Sequence, residues 1–238
     1  DIAGLNIVQG LDVLQTFVSV IEKSGVTGYK SGATVQATGY KEGEKAGYAG
    51  GFAGNVIGGQ IWGETTGEGD SQVSNPCTVK NVCKVTAKNA VGGFAGQILP
   101  GSAASVDTSS SNALLNGLLN SVIGTSGDLA SVLETTIATI RNVQVTTDNG
   151  MGIVVQGAYD NNGTTAYAQS AGGFAGSISG AIIGQKDHPE DGIHINNLQV
   201  VNGGEYAGGF AGKADVSAAV EISGQNDTTI LELLAKLA

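Results

Sequence analysis

The sequence predicts a mainly β protein: a parallel β-solenoid (a right-handed β-helix) of about four to five irregular rungs, with helical caps and insertions. Three observations predict it. The hexapeptide AGGFAG occurs at 49–54, 171–176 and 207–212, with VGGFAG at 91–96. The residues in and around it alternate with the period of a strand. The composition is 39 Gly in 238 residues with only 13% charged side chains, and Val, Ile and Leu recur throughout. That balance suits short strands and tight turns and is unlike a disordered chain.

The repeat is longer than its hexapeptide. The four Phe residues, Phe52, Phe94, Phe174 and Phe210, are spaced 42, 80 and 36 apart, so the middle gap predicts a degenerate copy. The stretches 78–96, 194–212 and 139–157 fit one frame of 19 residues, the last with its hexapeptide lost. Each carries an apolar-x-Asn-apolar core, at Asn81, Asn142 and Asn197. A recurring Asn in one frame predicts a stacked turn in which one amide bonds to the next, with three separate turn Asn residues as the plainer alternative. The repeat before Phe52 matches only from the hexapeptide onward. Its upstream stretch 26–40 looks strand-like but out of frame.

With a period of two, Phe174, Gly176 and Ile178 share one face, as do Phe52/Gly54/Val56, Phe94/Gly96/Ile98 and Phe210/Gly212/Ala214. The other face, such as Ala171, Gly173 and Ala175, is almost free of side chains. This predicts a strand buried on both sides, with Phe in the main core stacked on the next Phe and the Ala/Gly face open to a second layer.

Three segments read as helices. In 11–24, Leu11, Leu14, Phe17, Val18 and Ile21 share a face, with Gly25 at the stop, though the β-branched cluster leaves a strand as the alternative. In 112–135, Leu pairs recur four apart, and Asp128 caps a second short helix. The C-terminus has a Thr229-x-x-Glu232 capping box before a Leu-rich run. Together these give one repeat domain, 1–238. Its parts are an N-terminal cap (1–25), first repeats (26–100), a helical insertion (101–137), later repeats (138–224) and a C-terminal capping helix (225–238). The helices are expected to cover open edges or the small-residue face. A β-hairpin is expected within 152–170, around Asn161–Gly163.

The net charge of −10, with no basic run, argues against nucleic acid and anionic membranes, and no apolar run is long enough to span a bilayer. The chain begins at DIAGLN without an initiator Met, which reads as a piece of a longer product. Catalytic constellations are sparse. His188 and His194 have no Cys or His at metal spacing, and no nucleophile elbow or phosphate loop occurs. No enzyme activity or cofactor is expected. The densest acidic loop, Asp187, Glu190 and Asp191, is the one candidate calcium site, with Asp160, Asn161 and Asn162 as a lesser spot. A solvated turn is the plainer reading of both. One Trp and six Tyr offer few rings to stack sugars. Cys77 and Cys83 are a candidate disulfide only if the five residues between them turn; two free thiols are the alternative.

The strings YAGGFAG, AVGGFAG and SAGGFAG, with apolar-Asn strands such as VKNVCKV and INNLQV upstream of them, resemble the Gly-rich (GLUG-like) repeats of large bacterial surface proteins and adhesins. Phe-Ala replaces the Leu-Val of those repeats, and the resemblance covers about half the chain. It implies an extracellular, cell-wall-linked solenoid used in cell adhesion or as a stalk. The partners expected of such a domain are a host or neighbouring-cell surface protein or glycan. A self-assembling fibre or surface-layer subunit, in which Leu-rich helices or open solenoid ends pair between copies, is the second reading. A carbohydrate-active enzyme using the Asp187–Asp191 loop is the third reading.

Overall fold

Branched apolar residues alternating with polar ones, cut every few residues by Gly or Asn, favour short strands separated by sharp corners. The computed structural model describes residues 19–38, 47–67, 71–101, 105–107, 137–148, 150–157, 168–184, 191–216 and 221–223. They are mainly β with parallel sheets, and no α-helix occurs among them.

The strands fall into four copies of a five-strand unit, whose positions are called a to e. The first copy is β1 (Val20–Glu22), β2 (Gly25–Thr27), β3 (Ala33–Gln36), β4 (Tyr48–Gly50) and β5 (Ala53–Ile57). The second begins with β6 (Gln60–Trp62) and carries an inserted antiparallel hairpin, β7 (Glu64–Thr66) and β8 (Val73–Asn75). It continues through β9 (Cys77–Lys80), β10 (Val82–Ala87), β11 (Ala90–Gly92) and β12 (Ala95–Leu99), and β13 (Ser105–Asp107) follows it. The third is β14 (Ala138–Arg141), β15 (Val143–Thr146), β16 (Ile153–Gly157), β17 (Ala168–Gly172) and β18 (Ala175–Ser179). The fourth is β19 (Ala181–Ile183), β20 (Ile193–Ile195), the long β21 (Leu198–Gly208) and β22 (Ala211–Asp215); β23 (Glu221–Ser223) pairs with β13.

Every position forms its own parallel ladder in copy order. Position a is β1-β6-β14-β19, b is β2-β9-β15-β20 and e is β5-β12-β18-β22. Positions c and d merge into one seven-stranded sheet, β3-β10-β16-β21-β17-β11-β4, because β21 serves both: its first part pairs β16 and its second part pairs β17.

The register stacks like on like. Position a aligns Ile21, Ile61, Ile140 and Ile183, position b aligns Val26, Val79, Val145 and Ile195, and position c aligns Val35, Val85, Val155 and Val201. In the two inner copies these side chains are buried. The four Phe rings form a column through the core, with centroids 4.8, 5.2 and 4.9 Å apart and planes within 21° of parallel. Such stacked pairs contribute about 0.5–1.5 kcal/mol each beyond area burial.

The hexapeptide is a corner and not one strand. Its first half ends position d, the Gly-Phe pair bends, and its second half begins position e. In the inner copies the Ala/Gly face meets the chain's own backbone. A Cβ on Gly93 would run into the Gly173 carbonyl oxygen of the next copy, and one on Gly173 into the Gly209 carbonyl oxygen. Ala95, Ala171 and Ala175 are fully buried in the same contact. Side-chain-free positions are what let two backbones meet this closely.

Several expectations are corrected. Residues 139–157 are not a separate copy with a lost hexapeptide: they belong with Ala171–Gly176, so there are four copies. The doubled Phe gap comes from the chain between Leu99 and Ala138. The stretch 26–40 is out of frame in sequence, yet its described strands align with the second copy, Val26 with Val79 and Val35 with Val85. Of the helix expected over 11–24, the described end is strand, Val20–Glu22, because Ile21 stacks on Ile61 in a ladder. The expected hairpin in 152–170 is absent from its described strands: β16 and β17 each pair in parallel with other copies. Residues 11–18, the helices expected in 112–135 and 225–238, and the loop Asn161–Gly163 lie outside the described residues.

Candidate functional site

Two variable columns flank the hexapeptide, which itself changes only at Val91. The residue before it is Tyr48, Ala90, Ser170 or Tyr206, and these align across the four copies at position d. The residue after it is Asn55, Gln97, Ser177 or Lys213, aligned at position e. Position e alternates, so Val56, Ile98 and Ile178 are buried while Gln97, Ser177 and Lys213 face outward. Between the two columns lies a polar cleft of about 250 Å³. Tyr48 and Tyr206 stand at its two ends, Ala90 and Ser170 make its floor, and Gln97, Ser177 and Lys213 form a wall.

The ends of the cleft are held by local contacts. The Asn89 amide donates to the Tyr48 hydroxyl at 2.9 Å. The Gln169 amide donates to Glu205 at 2.9 Å. Lys213 pairs with Asp215 at 2.6 Å and sits 5.6 Å from the Tyr206 ring centre. Asp215 holds the Lys213 ammonium more firmly protonated than an ordinary lysine, and Glu205 pushes the Tyr206 phenol up. The cleft thus presents amides, hydroxyls and one compensated cation. Sequence reasoning missed it. The signal was there in the changing letters on either side of a nearly unchanging string.

The three Asn residues share a left-handed backbone, with φ of 58° at Asn81, 49° at Asn142 and 63° at Asn197. Asn tolerates this region because its short amide bonds locally. They do not form one ladder. Val79 aligns with Val145 and Ile195, so Asn81 and Asn197 occupy the b–c corner with Thr147 between them, while Asn142 occupies the a–b corner. Asn81 donates to the Asp148 carboxylate at 2.8 Å and accepts from the Asp148 amide at 2.9 Å. Asn197 donates to the Thr147 carbonyl at 2.7 Å. Asn142 reaches outward and pins the β7–β8 hairpin, donating to Thr65 and Ser74 at 3.0 Å each.

Asp187, Glu190 and His188 lie outside the described residues, as do Asp160, Asn161 and Asn162. Asp191 is described, and its carboxylate accepts a hydrogen bond from Thr65 at 2.7 Å. Among the described residues no three His, Cys, Asp or Glu side chains gather as metal ligands. His194 sits in β20 beside Gln144. Cys77 and Cys83 are both free thiols. Cys77 points into the core, where burial pushes its thiol pKa up, while the Cys83 sulfur faces the Met151 sulfur at 3.8 Å. The corner at Asn81 separates the two, so the turn between them sends them to different neighbours. On position a, Trp62 donates to Glu22 at 2.9 Å and carries the Arg141 guanidinium 4.5 Å above its ring, which ties three copies together along one outer row.

No protein-family model, curated protein or solved structure matches the chain.

Proposed function

We propose that this chain is a non-enzymatic structural and adhesive domain of an extracellular, cell-surface protein. In this reading it is a right-handed parallel β-solenoid of four coils, related in kind to the GLUG-like repeats that its hexapeptide resembles. The observation that carries the reading is the copy-on-copy register. Five ladders and a Phe column use the chain's apolar residues to build a stack, and its variable polar residues line the outside of that stack. Scaffolds of this kind present extended surfaces whose specificity lies in the variable positions. The test is a binding panel of matrix proteins and cell-surface glycans, with turnover of the same glycans followed in parallel. Retention of a panel member without turnover supports the reading, and turnover of a polysaccharide overturns it.

One observation favours a second reading, a self-assembling fibre or layer subunit. Among the described residues the fourth copy is the last of the stack, with Phe210 41% exposed and no described residue within 4 Å of the Cβ position of Gly209. Head-to-tail stacking of a second chain would continue the column. Light scattering across a concentration series decides it: growth of particle mass supports assembly, and a constant monomer mass excludes it.

A further inference from the structure

We propose that the cleft between the two variable columns binds a short neutral oligosaccharide laid across the copies. The proposal rests on the adhesive reading and names the ligand class of that surface.

Placement comes first. Tyr48 and Tyr206 are three strand spacings apart, about 14 Å at ~4.8 Å per strand. The fold brings two of the six tyrosines to the ends of one cleft. A tyrosine offers a flat apolar ring with a polar tip, which suits a ligand with both kinds of surface. Between them the small Ala90 and Ser170 keep the floor low.

The wall chemistry comes second. Gln97, Ser177 and Lys213 project from successive copies at the same strand position. An amide both donates and accepts, a hydroxyl does the same, and an ammonium donates. A chain molecule with hydroxyls at regular intervals can meet these groups in turn. Charge narrows the class. The cation among its described lining residues, Lys213, is balanced by Asp215, Glu205 stands at the rim, and the chain carries −10, so an anionic polymer is repelled.

Peptides are the main competitor for such a surface. An extended peptide gains most of its affinity by adding a strand to a free edge. The d and e strands of copies two and three have both edges paired, so that route is closed along the cleft. Side-chain hydrogen bonds to a ligand that brings its own hydroxyls remain.

The experiment uses the full chain and an array of neutral di- to hexasaccharides built from hexoses and N-acetylhexosamines. Sulfated oligosaccharides, extended peptides and matrix proteins are included, and hits are followed by saturation-transfer NMR. The expected result is a neutral saccharide bound with Kd on the order of 0.1–1 mM. Gln97→Ala should weaken it roughly five- to tenfold. Ser177→Trp should abolish it by filling the cleft. Urea midpoints show that each variant is folded; if Ser177→Trp is not, Tyr206→Ser replaces it, with weakened binding expected. Binding by sulfated chains or peptides at this cleft, or saccharide binding unmoved by folded variants, overturns the proposal. If matrix proteins bind and no saccharide does, this inference fails while the adhesive reading stands. If nothing on the panel binds, both fail.

Discussion

The same six letters, AGGFAG, occur at 171–176 and 207–212 and live in opposite surroundings. Phe174 is fully buried with a ring stacked on each side, whereas Phe210 is 41% exposed with one neighbour. A Cβ on Gly173 would run into the Gly209 carbonyl oxygen, and one on Gly209 would meet no described residue. At this position, Gly51, Gly93 and Gly173, the glycine is needed because of the copy that follows it. Gly209 keeps the letter without that constraint among the described residues, whereas Gly208 is still crowded by the Ala211 carbonyl and Gly212 by Ala171 of the preceding copy. The worth of this glycine and of the Phe beside it is therefore set by place in the stack and not by motif alone.

The sharpest way to break the comparison is to empty the column. Phe174→Ala removes a ring packed on two sides and should cost about 3–5 kcal/mol, as large core truncations do. Phe210→Ala should cost about 1–2 kcal/mol, since much of its ring already meets water. Paired urea titrations measure both. Equal losses would mean that the column contributes no more than its letters.

Crowding the backbone gives the next largest contrast. Gly173→Ala forces a methyl into a carbonyl of the adjacent copy and should cost about 3 kcal/mol, at the upper end of overpacking. Gly209→Ala meets no described residue and should lie within about 0.5 kcal/mol of the parent. A Gly209→Ala variant as damaged as Gly173→Ala would show that a further layer covers the fourth copy.

The sequence made the mainly β character and the Phe spacing readable because both rest on local pattern. Period-two alternation around Val85 or Ile98 states which side is apolar, and a repeated ring states what repeats. Copy boundaries were harder. Asn81 and Asn142 look alike because each sits in a left-handed corner between two strands, yet they turn different corners. A local rule for turning the chain carries no record of which turn it is. The reach of the first copy back to Val20 was also hidden, because residues 39–46 separate its c and d strands and displace the frame. Nor could the letters show that the hexapeptide bends at Gly-Phe: alternation is the same whether or not a strand turns. The cleft was readable only as two columns of variation, and its depth depends on Ala90 and Ser170 lying between two tyrosines.

Corners offer a smaller comparison. Lys23 holds φ of 46° at an a–b corner, where Asn142 holds 49°. A lysine lacks the short amide that makes this region tolerable, so Lys23→Asn should stabilise by about 1 kcal/mol. The gain is partly offset by loss of the exposed Lys23–Glu64 pair, which contributes little. A raised urea midpoint with an unchanged slope is the expected outcome, and a lowered one would mean that the pair outweighs the strain.

The b–c corners separate by pH. Asn81 bonds to a carboxylate, Asp148, and Asn197 bonds to a carbonyl. Hydrogen bonding from Asn81, and then from Lys80, holds the Asp148 pKa below the ordinary value of 3.8. The folded chain therefore releases this proton more readily than the unfolded one. The stabilisation is present above about pH 4 and is lost as the pH falls through the lowered folded value. Asn81→Gly keeps the left-handed backbone and removes the amide, so acid unfolding below pH 4 should become less steep. Asn197→Gly removes a bond to a group that does not titrate, so its curve should keep the parent's shape. Lys80 and Asp148 are both about half exposed, at 47% and 53%, so salt screening should reproduce part of the Asn81→Gly effect in the parent. A parent curve that ignores salt would assign the shift to the Asn81 hydrogen bond alone, and equal curves for the two glycine variants would remove the distinction between the corners.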